Sequence, residues 1–214
     1  MEPRPRDNPY IWTTWLPQMM LGDSTCRWSL WHMANFDFER APDDKDWTQW
    51  RADHTQLVEQ LALEEEAKGN SLSFESQAAF RFRGPSGLTL HGKPDIVSRS
   101  RSEATVIEAK VGKVRDGHVW QAKIYMYALP RSLPEYREIE IHGRVAYPDG
   151  HRIEIHSSAI DESFERTMNH WLEMATQGTP PRRVPSEDNC RFCKISVNDC
   201  RDRIGSDTVS DEDW

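Results

Sequence analysis

The chain has 214 residues, of which 37% are hydrophobic and 29% charged, and its formal net charge is −8 at pH 7. That length suits one sizeable core, and the composition is that of a globular rather than a disordered chain. No stretch approaches the roughly 20 apolar residues of a membrane span, and the N-terminal residues lack the apolar run of a signal peptide. We therefore expect a cytoplasmic protein with no membrane partner.

The first strong helix signal covers Asp43 to Lys68 and ends at Gly69-Asn70. His54 falls on the apolar stripe of this helix, so its imidazole is predicted to face inward. There it serves either as a metal ligand or as a hydrogen-bonded core histidine, and the residues alone leave both readings open. The other members of the stripe are Trp47, Trp50, Leu57 and Leu61.

Strand patterns follow the helix. SLSFESQAAFRFR and LTLHGKPDIVS alternate between polar and apolar residues and are joined by Gly-Pro-Ser-Gly, which predicts a hairpin. TVIEAKV predicts a third strand, and Asp116 to Leu129 predicts a helix that Pro130 closes.

The second half of the chain also contains both strand and helix patterns. EIEIHGRVAYP and HRIEIHSS alternate around Pro-Asp-Gly, which predicts a second hairpin. DESFERTMNHWLEMAT predicts an amphipathic helix, and a proline-rich connector leads to the last cysteines. The order of elements predicts a mixed α/β fold with a central sheet flanked by helices. We expect a single domain over residues 1–204 and a disordered acidic tail over 205–214.

Opposite charges end the third predicted strand. Side chains alternate along a strand, so Glu108 and Lys110 share one face while Ala109 faces the other and leaves its carbonyl available. Asp95 directly follows Pro94 on the preceding strand, and hairpin-like pairing brings it opposite Glu108. Two carboxylates and a carbonyl suit Mg²⁺ or Mn²⁺, and a lysine beside them can stabilise an oxyanion. The alternative is ordinary surface charge on an edge strand.

The following helix adds polar groups to this constellation. Gln121 and Tyr125 are four residues apart and therefore share a helix face, with His118 one turn earlier. Residues 80–115 hold eight basic and three acidic side chains, so the acidic net charge does not exclude DNA. The arginines that we expect to track the DNA backbone are Arg81, Arg83, Arg99 and Arg101.

Four cysteines remain. Cys190, Cys193 and Cys200 form a C-x2-C-x6-C cluster, and Cys26 lies far upstream. Without a secretion signal a disulfide framework is not expected, so the set predicts a metal centre. Zinc and an iron–sulfur cluster are both chemically allowed, and the spacing does not choose between them.

In this order, the early cysteine, the upstream histidine, GKPD, VIEAK, QAKIY and the three-cysteine cluster resemble the PD-(D/E)xK nuclease superfamily. The match is to its RecB-like iron–sulfur branch, and by size to the CRISPR-associated exonuclease (fourth Cas protein) family and its stand-alone phage and bacterial relatives. The resemblance implies a restriction-endonuclease-like core, Mg²⁺ or Mn²⁺ as cofactor, and exonuclease action on single-stranded DNA or DNA ends.

Residue by residue, the resemblance implies that His54, Asp95, Glu108 and the Ala109 carbonyl bind the divalent metal. Lys110 resembles the catalytic lysine, and Gln121 with Tyr125 resembles the supporting QxxxY motif. Cys26, Cys190, Cys193 and Cys200 resemble the ligands of a 4Fe–4S cluster, with zinc as the alternative occupant. The implied roles are CRISPR spacer processing with adaptation proteins, or phage and bacterial recombination and repair. A non-cleaving DNA-end-binding or partner-binding module is the competing interpretation.

Overall fold

A computed structural model describes residues 3–43, 46–84 and 86–205. The expected acidic tail therefore lies, apart from its first residue, outside the described residues. The helices are α1 (Pro17–Leu21), α2 (Arg27–Asn35), α3 (Thr48–Ala67), α4 (Asp116–Ser132), α5 (Glu162–Thr176) and α6 (Glu187–Arg191). The strands are β1 (Tyr10–Trp12), β2 (Ser71–Phe74), β3 (Phe80–Arg83), β4 (Thr89–Gly92), β5 (Ile96–Arg99), β6 (Glu103–Ala109), β7 (Glu140–Ala146) and β8 (Arg152–Ile155).

The chain divides into two compact units, and each is described by itself. Unit 1 comprises Met1–Asp46, Arg83–Thr89 and Thr167–Trp214. Unit 2 comprises Trp47–Phe82 and Leu90–Arg166.

Unit 2 is built on a five-stranded mixed sheet with the strand order β2-β5-β6-β7-β8. β6 and β7 are parallel, and α4 makes the crossover between them, whereas the other neighbouring strands are antiparallel. Parallel neighbours need such a crossover because a tight turn can join only antiparallel strands. The predicted mixed α/β class is confirmed.

The register of β5 and β6 decides where the carboxylates lie. Ile96 pairs with Ile107 in this antiparallel ladder. One step further along the same register, Asp95 comes opposite Glu108, as the sequence predicted. Asp95 itself directly precedes β5, at the end of the sheet.

The two faces of the sheet are covered differently. Apolar side chains of α3 and of one sheet face form a buried core comprising Leu57, Leu61, Ala62, Ile96, Ile107, Ala109 and Ala146. On the opposite face, an added Cβ at Gly143 would come 2.7 Å from the Met126 sulfur, so α4 packs closely over β7. Since side chains alternate along β6, Ala109 faces α3 while Glu108 faces α4.

Two predicted long strands are each divided in the structure. SLSFESQAAFRFR forms β2 and β3, and LTLHGKPDIVS forms β4 and β5. β2 pairs with β5 in the large sheet, whereas β3 and β4 form the hairpin across the predicted turn. Pro94 separates β4 from β5 because proline has no N–H to donate to a ladder.

Helix ends differ by a few residues from the predictions. α3 begins at Thr48 rather than Asp43, and Gly69, at φ +80°, follows its end as expected. α4 continues past Pro130 to Ser132. Its last turn keeps the bond from Leu133 N–H to the Leu129 carbonyl at 2.9 Å, so the missing N–H of a single proline does not end the helix.

Within the described ranges, no helix combines the length and apolar character needed to cross a membrane.

Candidate active site

Glu108 lies at the centre of the predicted constellation and is 3% exposed. Its Oε1 accepts hydrogen bonds from Lys110 Nζ at 2.8 Å and from Gln121 Nε2 at 2.7 Å. Its Oε2 is buried, and no described residue donates a hydrogen bond to it. A buried carboxylate oxygen without a donor is costly, and a bound cation would satisfy it.

Asp95 lies beside Glu108 at the end of the sheet. Its Oδ2 accepts the Ala109 N–H at 2.8 Å and lies 3.4 Å from His54 Nε2. Neighbouring ligands of an octahedral ion at about 2.1 Å would themselves lie about 3 Å apart. The spacing of Asp95 and His54 therefore suits two ligands of one ion.

These side chains are of the types that hold the divalent metal that the sequence predicted, although the ligand atoms of all three do not lie within 4.8 Å of one another. His54, Asp95 and Glu108 supply one imidazole and two carboxylates, and Glu108 Oε2 is still available for an ion. Hard cations such as Mg²⁺ and Mn²⁺ prefer oxygen donors. The Ala109 side chain packs in the core beneath α3, which leaves only its main chain at the site, as predicted.

Gln121 and Tyr125 extend the network from the shared face of α4. The Gln121 Oε1 accepts from Lys110 Nζ at 3.2 Å, while its Nε2 donates to Glu108 and to the Tyr125 hydroxyl at 3.0 Å. Tyr125, 2% exposed, donates in turn to the Lys93 carbonyl at 3.3 Å. Every polar atom of the amide has a partner, so the network orients Glu108 and Lys110 together.

Burial and charge shift the proton affinities of this network. Burial, followed by the nearby Asp95, raises the pKa of Glu108 to about 7. For Lys110, burial acts to lower the pKa, but attraction to Glu108 outweighs it and the pKa is raised, so the ammonium stays charged. The hydrogen bond to Asp95 raises the pKa of His54.

His118 and Tyr147 form a pair beside Lys110, with His118 Nδ1 2.9 Å from the Tyr147 hydroxyl. Burial, then the positive charges of Lys110 and Arg115, lowers the pKa of His118 to about 4, so its imidazole is neutral. Tyr147 was not singled out in the sequence. It follows β7 where β6 and β7 end together, since Lys110 N–H donates to the Ala146 carbonyl at 2.9 Å. The carboxyl edge of parallel strands was the signal available for finding it.

Two of the predicted DNA-tracking arginines, Arg99 and Arg101, lie away from the carboxylates. Arg99 pairs with Ala104 at the far end of the β5–β6 ladder, four residues or about 13 Å along the strand from Asp95. Its guanidinium lies 5.8 Å from the centre of the Tyr136 ring. Arg101 is exposed in the turn beyond, and Arg81 and Arg83 are exposed on β3. Their contact with DNA stays a prediction.

The four cysteines come together within unit 1, as the predicted metal centre requires. Cys26, Cys190, Cys193 and Cys200 line one open pocket of about 330 Å³, mouth included, and all four are free thiols. The Val184 N–H approaches Cys26 Sγ at 3.5 Å, and burial raises the pKa of Cys193 to about 11. Four thiols that line one pocket supply the donors for either zinc or an iron–sulfur cluster, although no three of these described sulfur atoms lie within 4.8 Å of one another.

A separate trio of ligand-type side chains, Glu140, His142 and His156, lies on β7 and directly after β8, with ligand atoms within 4.8 Å of one another. Nδ1 of His142 accepts the Ser157 N–H at 3.3 Å, and Nδ1 of His156 accepts the Ser158 N–H at 3.2 Å. A neutral imidazole that accepts at Nδ1 carries its proton on Nε2, where no lone pair remains for an ion. Backbone hydrogen bonding therefore accounts for this trio.

Comparison with known proteins bears on the whole site. The family model described as the PD-(D/E)XK nuclease superfamily matches residues 26–197. Among solved structures, the crystal structure of SSO0001 is 17% identical with a TM-score of 0.43, over 88% of this chain and 84% of that one. A search of curated proteins finds no match. Because the family match spans most of the chain, including Pro94-Asp95 and Glu108-Ala109-Lys110, this chain belongs to the PD-(D/E)XK nuclease superfamily, whose nucleases use divalent metal ions.

Proposed function

We propose that the protein is a DNA exonuclease of the RecB-like branch that hydrolyses phosphodiester bonds in single-stranded DNA or at DNA ends. The observation that carries this proposal is the buried Glu108, which is paired with Lys110 through Oε1 and has an unshared Oε2 beside Asp95. Burying a lysine and two carboxylates together carries a large desolvation penalty. A member of this superfamily that no longer cleaves DNA would be expected to have lost at least one of these three side chains.

Each residue has a separate role in the proposed hydrolysis. His54, Asp95 and Glu108 would hold Mg²⁺ or Mn²⁺, which supplies charge neutralisation and activation of water when bound. The Lys110 ammonium, held 2.8 Å from Glu108, stabilises the negative charge that develops on the attacked phosphate. Gln121 and Tyr125 do not need to touch DNA, since they orient Glu108 and Lys110.

Cleavage of labelled linear single-stranded DNA, in parallel with circular single-stranded and duplex DNA, tests the proposal. With Mn²⁺ the wild type should shorten the linear strand, and Lys110→Ala should lower the rate by about 100-fold or more. Lys113→Ala is the matched control, because Lys113 is exposed and three residues away, and it should cleave normally. No cleavage by the wild type, or equal cleavage by Lys110→Ala, would contradict the proposal and favour a non-cleaving DNA-end-binding or partner-binding module.

We further propose that Cys26, Cys190, Cys193 and Cys200 hold a 4Fe–4S cluster. Support comes from their common pocket in unit 1 and from the resemblance of their order to that of iron–sulfur nucleases. Anaerobically purified protein should be brown and contain four iron and four sulfide per chain. Colourless protein with one zinc per chain would replace the cluster with a structural zinc site.

The proposed biological setting is CRISPR spacer processing or phage and bacterial DNA recombination and repair. The first setting requires adaptation proteins as partners, whereas an exonuclease of the second kind acts alone. Four free thiols suit the reducing cytoplasm, which is the location we propose. Activity of the purified chain on free DNA ends would favour the second setting, and activity that depends on added adaptation proteins the first.

A further inference from the structure

An aromatic stack continues from the metal-ligand histidine to the surface of unit 2. The rings of His54 and Trp50 are parallel within 13° at a centroid distance of 5.0 Å. Trp47 meets Trp50 edge-on, at 5.6 Å and 90°. Trp47, Trp50 and His54 recur at helical spacing at the start of α3, so they follow one face of it.

The surroundings of this face of α3 change along the helix, from the buried core to the protein surface. Leu57 and Leu61, further along α3, are 3% and 1% exposed in the core against the sheet. His54, one turn before Leu57, reaches Asp95 at the sheet end. Trp50 and Trp47 follow in the direction of the helix N-terminus and are only half-buried. The stack thus leads from the core, past the metal ligands, to rings that solvent reaches.

The charges around the two tryptophans bear on the kind of ligand. Arg51, Asp46 and Asp53 are exposed beside them, and Asp53 accepts a hydrogen bond from Gln49 at 2.7 Å. These charges have both signs, so this surface is not a basic groove for the DNA backbone. The flat apolar face of an indole instead suits the uncharged face of a nucleobase.

We propose that Trp47 and Trp50 form a stacking platform for an unpaired base of the DNA strand whose neighbouring phosphate lies at the carboxylates. The inference rests on the proposed nuclease function and deepens it by naming what the site selects. In a duplex, both faces of a base are covered by its neighbours in the stack, so only an unpaired base can occupy the platform. Stacking on an aromatic ring strengthens binding by about 5- to 150-fold per base.

A simpler role for Trp50 is to orient His54 by packing on its ring. Such a role would affect metal binding and the chemical step equally on every DNA. Trp47 meets Trp50 edge-on and lies seven residues, or about two helical turns, before His54. Substitution of Trp47 therefore separates base stacking from the orientation of His54 better than substitution of Trp50 does.

Binding is measured first, by fluorescence anisotropy of labelled oligonucleotides with the full chain in EDTA, where no cleavage occurs. Trp47→Ala should weaken single-stranded DNA binding by about 5- to 150-fold, leave blunt duplex binding unchanged, and be largely rescued by Trp47→Phe. Trp120→Ala is the matched control, because the Trp120 ring stacks on Phe164 at 5.5 Å instead. Equal loss on both DNAs, or no loss on single strands, overturns the platform.

An abasic scan locates the stacked base. In single-stranded oligonucleotides with one abasic site moved along the strand, wild-type binding should weaken at one or two positions, and Trp47→Ala should remove that dependence. If the same positions still matter in Trp47→Ala, the platform is disproved. Because both measurements are binding measurements, they still decide the inference if the wild type cuts no DNA, an outcome that would disprove only the proposed nuclease activity.

Discussion

At the scale of single residues, Glu108 shows how the site is prepared for a cation. Its side chain is buried among Lys110, Gln121 and Asp95, and burial raises its pKa to about 7. The folded protein without metal therefore holds a proton on Glu108 that the unfolded chain releases near pH 4.5. A divalent ion at Oε2 would take the place of that proton, so protons and metal compete for one carboxylate.

The first prediction concerns the pH dependence of stability. In EDTA, the contribution of Glu108 is fully present below about pH 4.5 and is lost as pH rises through about 7, because folding then requires the buried carboxylate to be charged. Glu108→Gln should flatten the stability profile between these values. Thermal unfolding of the two proteins at a series of pH values measures the difference, and parallel profiles would count against a raised pKa.

Metal binding to Glu108 should have the opposite pH dependence. Mn²⁺ should raise the melting temperature of the wild type more at pH 8 than at pH 5, because protons displace the ion at low pH. Glu108→Gln should show little stabilisation by Mn²⁺ at either pH. Equal stabilisation of the variant would place the ion elsewhere.

At the scale of elements, α3 is joined to the sheet by a buried carboxylate as well as by its apolar face. Glu65, 3% exposed, accepts hydrogen bonds from Arg144 at 2.7 Å, from Ser98 at 2.7 Å and from Asn70 at 3.0 Å. Burial acts to raise its pKa, but the hydrogen bonds, the one from Lys68 foremost, outweigh burial and lower the pKa to about 2. Through this network α3 is attached to β5 and β7, and His54 on the same helix is positioned with it.

The second prediction is therefore that Glu65→Ala lowers the free energy of unfolding by about 3–5 kcal/mol, since it leaves the half-buried Arg144 without one of its two carboxylates. Glu66→Ala, at the exposed neighbouring position, should change it by less than about 0.5 kcal/mol. Urea unfolding at pH 7 measures both. The contribution of Glu65 is present above about pH 4.5 and is lost as pH falls through about 2, so the difference between wild type and Glu65→Ala should shrink in acid.

Gly92 ends β4 directly before Lys93-Pro94-Asp95 and packs closely against the Phe80 ring. A Cβ on Gly92 would lie 2.1 Å from a ring carbon of Phe80, which is itself buried. The Phe80 ring packs edge-on against Tyr125 at 5.9 Å. Any side chain at position 92 therefore forces the Phe80 ring to move, and this ring packs on the tyrosine that bonds to Gln121.

The third prediction is that Gly92→Ala costs about 1–3 kcal/mol of stability and also lowers nuclease activity. Adding Phe80→Leu to Gly92→Ala should recover part of both losses, because the smaller side chain makes room. Gly84→Ala is the control, since a Cβ there would lie 3.8 Å from the Leu88 carbonyl oxygen, an ordinary van der Waals contact. Denaturation and cleavage assays on the same preparations test the prediction, and additive losses in the double variant would contradict it.

At the scale of the whole molecule, the cysteines join sequence positions 26 and 190–200 within unit 1. The proposed metal centre would close this long loop and convert its binding free energy into folding free energy. Without the centre the thiols remain protonated near neutral pH where burial raises the pKa, as at Cys193 and Cys200.

The fourth prediction is that Cys193→Ser and Cys200→Ser each remove the bound metal and lower the melting temperature. Wild-type protein stripped of its metal by oxidation and chelation should melt at the same reduced temperature as the variants. Metal analysis and thermal unfolding on matched samples measure this. A variant that loses the metal but melts like the loaded wild type would show that the centre does not stabilise the fold.

Local pattern was enough to predict a large part of this molecule. The alternation of TVIEAK placed Glu108 and Lys110 on one face, and the four-residue spacing of Gln121 and Tyr125 placed both on one side of α4, because these periods are properties of the backbone itself. The pairing of Asp95 with Glu108 followed from a hairpin. The structure confirms these relations through the Lys110–Glu108 and Gln121–Tyr125 hydrogen bonds and through the register of β5 and β6.

Other features depended on residues that are distant in the chain. The division of two predicted strands, the placement of Tyr147 beside Lys110 and the separation of Arg99 from Asp95 follow from strand order and register. The sequence by itself determined the chemistry of the site, since residue type and short-range periodicity select the donors and the faces on which they lie. Only the tertiary structure decided the depth of burial of Glu108, its unshared oxygen and its raised pKa, because desolvation is produced by the packing of α4 and the sheet around it.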